Sequence, residues 1–264
     1  GVLDGADVVI NLAGRSVHCR YSAHNRREIL ESRVASTRAV GEAISAASSP
    51  PAVWLNASTA IIYRQSFDRA LDESGELGGN EPDAPEKWRF SIEVATAWEQ
   101  ALADAHTPHT RKVALRTAMV MSPDPGGVFD RLLRLVRCGL GGAAGSGRQF
   151  VSWIHEIDFI RSIEFLMRRE DLSGPVNLAS PAPVTDRELM HSLRHAWCPS
   201  YIGLPAPRPV LELGALVLRT ETELMLKSRR VVPGRLTAAG FEFHFPEWRG
   251  ACHDLVERWR RLQD

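Results

Sequence analysis

The apolar positions of the chain follow two alternating rhythms. Val8, Val9 and Ile10 form a short unbroken run that stops at Asn11-Leu12-Ala13-Gly14. That is the pattern of a strand covered on both faces and ended by a glycine. From about Ser22 to Ala47 the spacing changes. Leu30, Val34, Thr37, Val40 and Ile44 recur every three or four positions, with Arg26, Arg27, Glu28 and Glu31 mostly off that stripe, which predicts an amphipathic helix. Pro50-Pro51 breaks the chain, and Ala52 to Ala57 (AVWLNA) predicts a second buried strand ending at Ser58-Thr59. A polar loop with Asp68, Asp72, Glu73, Gly78, Gly79 and Pro82 follows. The next helix runs from about Glu86 to Ala105, with Trp88, Ile92, Ala95, Trp98 and Leu102 on one face.

Lys112 to Met121 (KVALRTAMVM) predicts a third strand, closed by Pro123, Pro125, Gly126 and Gly127. Val128 to Val136 reads as a helix leading into the glycine-rich segment Gly139 to Gly147. Phe150 to Ile154 reads as extended, Ile157 to Met167 as helical and Val176 to Ala179 (VNLA) as a fourth strand. Beyond Pro183 the chain is more helical, with a proline-broken stretch from Pro199 to Pro209 and a basic segment from Lys227 to Arg235. Strands alternating with helices of more than about ten residues predict parallel βαβ units and an α/β sheet.

Composition narrows the function classes. The 264 residues suffice for one large domain or two small ones, and 44% hydrophobic with 24% charged residues exclude a disordered chain. Thirty-two basic side chains balance 32 acidic ones, so no net positive field attracts nucleic acid. No apolar run approaches the ~20 residues that span a bilayer; the late stretch Val210 to Leu218 is short and interrupted by Glu212. No signal peptide opens the chain, and a cytoplasmic location is expected. Cys19, Cys138, Cys198 and Cys252 lie far apart. The pairs His18-Cys19 and Cys252-His253 lack zinc-site spacing, so buried thiols in a reducing compartment are expected, without a structural metal.

In an open parallel sheet ligands bind outside the carboxyl ends of the strands. Asn11 to Gly14, Ser58 to Tyr63 and Arg116 to Pro123 all fall at predicted strand ends. Each alone reads as a turn, a cap or a surface arginine, whereas three in succession point to a cleft. A dinucleotide fingerprint G-x-G-x-x-G is absent. Its nearest candidate, Gly141 to Gly147, leads into an extended segment and reads as a flexible loop lining a substrate pocket. No nucleophile elbow opens a helix. His155 follows an apolar strand and precedes Asp158, which reads as a cleft position. Lys227, Arg229, Arg230 and Arg235 read as a solvated helix end, with a phosphate-bearing ligand as the sharper alternative.

The chain resembles the epimerase-family branch of the atypical extended short-chain dehydrogenase/reductases. The resemblance rests on ordered blocks: DVVINLAGRSV (Asp7 to Val17), SRVASTRAV (Ser32 to Val40), ALRTAMVMSPDPGG (Ala114 to Gly127), GLGGAAGSGRQFVSWIHEIDFIRSI (Gly139 to Ile163), SGPVNLASPAPVTDREL (Ser173 to Leu189) and RRVVPGRLTAAGFEFHFPE (Arg229 to Glu247). It implies an α/β fold with a Rossmann-type parallel sheet, N-terminally truncated, and a smaller, mostly helical C-terminal substrate domain. Residues 1–122 and 148–181 would form the nucleotide-binding part, and 123–147 with 182–264 the other.

It also implies an NADP(H) site. Asn11, Leu12, Ala13, Gly14 and Ser58 would border the cofactor, with Arg116, Thr117 and Met119 near the nicotinamide. Thr59 would polarise a substrate carbonyl, Tyr63 and His155 would be candidates for proton transfer, and Arg148 and Trp153 would face the substrate. The implied activity is that of an oxidoreductase or epimerase on a small carbonyl, hydroxyl or nucleotide-linked compound. The alternative is a degenerate reductase fold acting as a dinucleotide-binding sensor or scaffold.

Three departures qualify the resemblance. Counting back from Glu99, the superfamily's Y-x-x-x-K pair falls on Ser91 and Ala95, which cannot lower a tyrosine pKa or carry its proton; the branch commonly lacks this pair too. Ile61 and Arg64 replace glycines that flank the tyrosine in the branch. On the family plan the chain starts just before the fourth strand, with the pyrophosphate loop on the missing side. The first strand then becomes an open edge, suited to pairing with a second copy in a homodimer.

Overall fold

The computed structural model describes residues 3–17, 19–82, 85–200, 203–204 and 227–263. His18, Val210 to Leu218 and most of the stretch from Pro199 to Pro209 lie outside the described residues. In chain order the described elements begin with β1 (Val8–Asn11), α1 (Ala23–Ser45), β2 (Val53–Thr59), α2 (Glu86–Asp104) and β3 (Arg111–Thr117). Next come β4 (Met119–Met121), α3 (Val128–Arg137), β5 (Phe150–Val151), β6 (Trp153–His155), α4 (Glu156–Arg168) and β7 (Gly174–Leu178). The chain continues through β8 (Val184–Thr185), α5 (Asp186–Trp197), α6 (Gly234–Ala238) and α7 (Trp248–Arg261).

β1, β2, β3 and β7 lie side by side in that order, all parallel. Alternation along each strand divides the core in two. On one face Trp54 and Ala114 pack with Val9, Ile44 and Leu102, under α1 and α2. On the other, Val53, Leu55, Val113 and Leu115 pack with Leu166 of α4 and with Leu236 and Phe241. Ser22 starts α1 as its N-cap, its side chain accepting from Asn25 N. A third core joins Phe129, Leu133 and Val136 of α3, Leu189 and Leu193 of α5 and Leu255, Val256 and Trp259 of α7, around Trp153 and Trp248. α6, by contrast, packs on β7 beneath the sheet.

Three expectations change. β2 runs on to Thr59, so the Ser58 and Thr59 hydroxyls belong to the strand's last rung rather than to the loop beyond it. The run from Lys112 to Met121 is two strands, not one. At Ala118 the backbone N–H donates to Leu178 O at 2.9 Å, and Met119 N then donates to Ser152 O at 3.2 Å, after which β4 pairs with β6. The basic segment is not a solvated helix end. Lys227, Ser228 and Arg229 are buried, and the chain here is extended, with Val231 bridged to Leu71. All four cysteines are free and only Cys252 is buried. Among the described residues no helix is long and apolar enough to cross a membrane, and no group of His, Cys, Asp and Glu is placed to hold a metal.

Candidate functional site

The carboxyl ends of β1, β2 and β3 finish along one edge of the sheet, with Asn11 opposite Asn56, Ser58 opposite Arg116 and Thr59 opposite Thr117. Asn11 points inward. Its Nδ2 donates to Asn56 Oδ1 at 2.7 Å and to Thr37 Oγ1 at 3.5 Å, and its Oδ1 accepts from Ala13 N at 3.1 Å. Trp98 Nε1 donates to the same Thr37 hydroxyl at 3.1 Å. Every member of this seam is buried, so each polar group needs the partner it has. The bond to Ala13 N turns the chain outward, which leaves Leu12, Ala13 and Gly14 exposed along the edge. A Cβ on Gly14 would fall 3.3 Å from Arg33 Cγ and Cζ, so glycine lets the Arg33 side chain pack closely over the loop.

Beneath the next strand end lies a buried ionic network. Ser58 Oγ donates to Glu99 Oε1 at 2.5 Å, and Arg116 forks onto the same carboxylate, Nε to Oε1 and Nη2 to Oε2, both at 2.8 Å. Arg116 Nη1 donates to Tyr63 Oη at 2.8 Å, and Tyr63 Oη donates to Asn177 Oδ1 at 2.8 Å. Asn177 N donates to Glu73 Oε1 at 2.8 Å, and its Nδ2 to Val232 O at 2.9 Å. Arg116 is only 5% exposed. Burial opposes its charge, yet the Glu99 carboxylate more than offsets this and raises its pKa. Burial pushes the Tyr63 phenol above its ordinary value despite the neighbouring Arg116. Its proton and a lone pair are both engaged, and the ring is fully buried.

Thr59 is different. It ends β2 and caps the short 3-10 turn Ala60–Ile62, its Oγ1 accepting from Ile61 N at 3.2 Å. It is half-buried, and among the described residues its hydroxyl hydrogen meets no acceptor. Ala95, at the position where the superfamily places lysine, is fully buried with Ala60, Ile62 and Tyr63.

Of the other sequence candidates, Thr117 lies on this edge opposite Thr59, whereas Trp153, His155 and Met119 belong to other strands. Trp153 is a core residue, 0% exposed, with Nε1 donating to Ala182 O at 3.1 Å and its ring edge-on to Trp248 at 5.0 Å. His155 caps α4 through Nδ1, which accepts from Ile157 N at 3.1 Å; its Nε2 meets Asp254 at 3.1 Å, and its ring stacks on Phe245. Burial lowers its pKa although Asp254 works the other way, so the imidazole is held neutral inside the fold. Met119 has left the main sheet with β4, whereas Thr117 remains on the last rung of β3.

Arg148 is exposed at the end of the glycine-rich segment, which is tied to α5. Ala144 N donates to Asp186 Oδ2 at 2.7 Å, Gln149 Nε2 to Ala144 O at 2.8 Å and Arg187 N to Gly147 O at 3.1 Å. Burial pushes the Asp186 carboxyl up to about 6 from 3.8, against the lowering effect of the Ala144 bond. A raised acid pKa stabilises the fold fully below the unfolded value of 3.8, and that contribution is lost as pH rises through 6. Wild-type stability should therefore fall by about 2–3 kcal/mol from this group between pH 4 and 7. Asp186→Asn should flatten that slope in urea titrations. An unchanged slope would show that Asp186 is not its source.

Glu99, Asn177, Asn56, Thr37 and Arg33 were not among the sequence candidates. Asn56 and Asn177 are polar residues inside apolar strand runs, and Thr37 is the polar member of the α1 stripe. That interruption is the signal that marks them. Glu99 and Arg33 carry no such signal, because charged residues on amphipathic helices are ordinary.

A family model described as a domain of unknown function (DUF1731) matches residues 206–255. An epimerase family protein of Mycobacterium bovis is 33% identical over 245 residues, covering 92% of this chain and 76% of that protein. The mouse epimerase family protein SDR39U1 is 33% identical over 255 residues, covering 95% and 82%. The crystal structure of human epimerase family protein SDR39U1 (isoform 2) with NADPH superposes with a TM-score of 0.85 at 28% identity, covering 97% of this chain and 83% of that one.

Proposed function

The chain belongs to this epimerase family of atypical extended short-chain dehydrogenase/reductases, and from that premise we propose that it binds NADP(H) along the edge formed by Asn11–Gly14, Ser58–Thr59 and Thr117 and reduces or oxidises a small carbonyl or hydroxyl compound there. One observation carries the chemical part. Thr59 accepts from Ile61 N, so its oxygen is fixed in place, while its hydroxyl hydrogen has no acceptor among the described residues. A fixed hydroxyl with a free proton donates a hydrogen bond to a carbonyl oxygen, and it does so more strongly as negative charge grows there during reduction. Bound NADPH supplies the hydride. Asn11 and Asn56 hold the exposed loop against the sheet, and the bare backbone of Gly14 lets a dinucleotide and the Arg33 side chain both come close to it.

Tyr63 and His155 are assigned to the framework rather than to proton transfer. The phenol lacks a free hydrogen, and the imidazole is closed off between Ile157 N, Asp254 and Phe245. Ala95 leaves no cation in the position of the superfamily's lysine. That same observation favours the second reading, a dinucleotide-binding sensor without turnover.

The test is fluorescence titration with NADPH followed by NADPH consumption at 340 nm across a panel of aldehydes, ketones and nucleotide sugars. Binding with turnover is expected. Thr59→Val should then lower kcat by about 10²-fold, the loss seen when one oxyanion donor is removed, with NADPH affinity within twofold of wild type. An equal loss of both would make Thr59 structural. Binding without turnover of any panel member leaves the sensor reading, and no binding refutes both.

A further inference from the structure

Arg33 sits on α1 one turn before Thr37, which ties the helix to Asn11 and Asn56. Its side chain lies across the turn that leaves β1, with Cγ and Cζ 3.3 Å and Nε 3.5 Å from the position a Gly14 Cβ would take. The guanidinium stacks on Trp98, Cζ 5.1 Å from the ring centroid. Trp98 is itself buried and fixed by its bond to Thr37. A guanidinium carries five N–H donors in a planar fork. Here Nη1 donates to Ile29 O at 2.9 Å, one turn back on its own helix. Nε and Nη2 have no acceptor, and no carboxylate lies within ion-pair distance of Arg33, among the described residues.

The contrast with nearby arginines is informative. Arg15, one residue beyond Gly14, is neutralised by Glu28. Arg116, under the adjoining strands, is neutralised by Glu99. Arg33 is half-buried, held flat by an aromatic face and, among the described residues, without a carboxylate partner. Placing a cation in reduced solvent without a counter-charge costs free energy unless an anion completes the site. A stacked guanidinium loses little further entropy when its free edge takes up two oxygens of one phosphate. The exposed loop Leu12–Gly14 passes against this side chain, Nε lying 3.5 Å from the place of a Gly14 Cβ, and this is the loop assigned above to the dinucleotide.

We propose that Arg33 binds a phosphate of the dinucleotide, its free Nε and Nη2 edge forming a paired contact across Gly14. The proposal rests on the reading that the chain binds NADP(H) at this edge. It makes Arg33 a cofactor-affinity residue and assigns it no part in the reaction itself. The phosphate belongs to either the pyrophosphate or the 2′-phosphate of the adenosine ribose, and these are separable because NADH lacks the second.

The experiment measures Kd by fluorescence titration for NADPH and NADH with wild type, Arg33→Lys and Arg33→Met, together with thermal melts of each protein alone. Wild type should bind NADPH; if it does not, the cofactor reading itself fails, whatever Arg33 does. Given binding, Arg33→Met should raise the NADPH Kd at least tenfold, and Arg33→Lys less, since a point charge replaces a fork. The salt dependence of Kd should also be shallower in Arg33→Met. A matched loss for NADH places the contact at the pyrophosphate, and a loss confined to NADPH places it at the 2′-phosphate. NADPH affinity within twofold of wild type in Arg33→Met, with an unchanged melt, would overturn the proposal. A melt lowered in step with affinity would overturn it too, by making Arg33 a packing residue; in that case Arg33→Lys would lose affinity as fully as Arg33→Met.

Discussion

Glu99→Ala is expected to destabilise the protein by about 3–5 kcal/mol, the cost of leaving a buried ionic partner uncompensated. In a chain of this size that lowers the melting temperature on the order of 10 °C. The reason is the position of Arg116, which is 5% exposed and spends two of its hydrogen bonds on this one carboxylate. Removing Glu99 also orphans the Ser58 hydroxyl. A buried pair is nevertheless a poor source of net stability, because desolvation cancels much of the attraction. The double variant Glu99→Leu/Arg116→Met should therefore recover at least half of the loss, although each single change is severe. Urea unfolding of wild type, Glu99→Leu, Arg116→Met and the double variant closes the cycle. A Glu99→Ala loss below about 1 kcal/mol, the range of an exposed pair, would show that the network is solvated.

Trp153→Ala is expected to cost about 3–5 kcal/mol, the usual range for deleting a buried aromatic. The indole fills the centre of the third core, between Trp248 and the side chains of α3 and α5. Trp153→Phe should keep most of that packing and lose about 1 kcal/mol with the bond to Ala182 O. A substrate-contact role has the opposite signature, with a raised KM at unchanged stability. That result would place Trp153 in the cleft after all.

The hydrophobic rhythm was enough to locate β1, α1, α2, α3 and α4, because each buries a face against the sheet or the helical unit and its spacing must match. It could not show that the run from Lys112 to Met121 changes partner at Ala118. Both halves are apolar and β-prone, and only the pairing distinguishes them. The buried stretch Lys227–Arg229 misled for the opposite reason. Charged residues predict solvent, and here Lys227 Nζ reaches the carbonyl of Ile61 while Ser228 and Arg229 pair with Ser66 and Phe150.

The candidate site stands out in the sequence where glycine, hydroxyls and strand ends coincide, at Gly14 and Ser58–Thr59. Tyr63 and His155 were singled out as reactive side chains, but burial and neighbouring donors decide whether such groups are free to react, and sequence spacing reports neither. The partners that hold the site, Glu99, Asn177 and Thr37, come from elements 19 to 114 residues away.

The partner change at Ala118 bears on motion. One extended segment lies in the main sheet up to Thr117 and beside β6 from Met119 onward, so it joins the four-stranded sheet to the β4–β6 pair. A hinge needs a stretch of backbone that can rotate without breaking hydrogen bonds. Ala118 and Met119 both donate across this junction, to Leu178 and Ser152, and so cannot serve as one. The four-stranded sheet and the β4–β6 pair are thus held together at the strand they share.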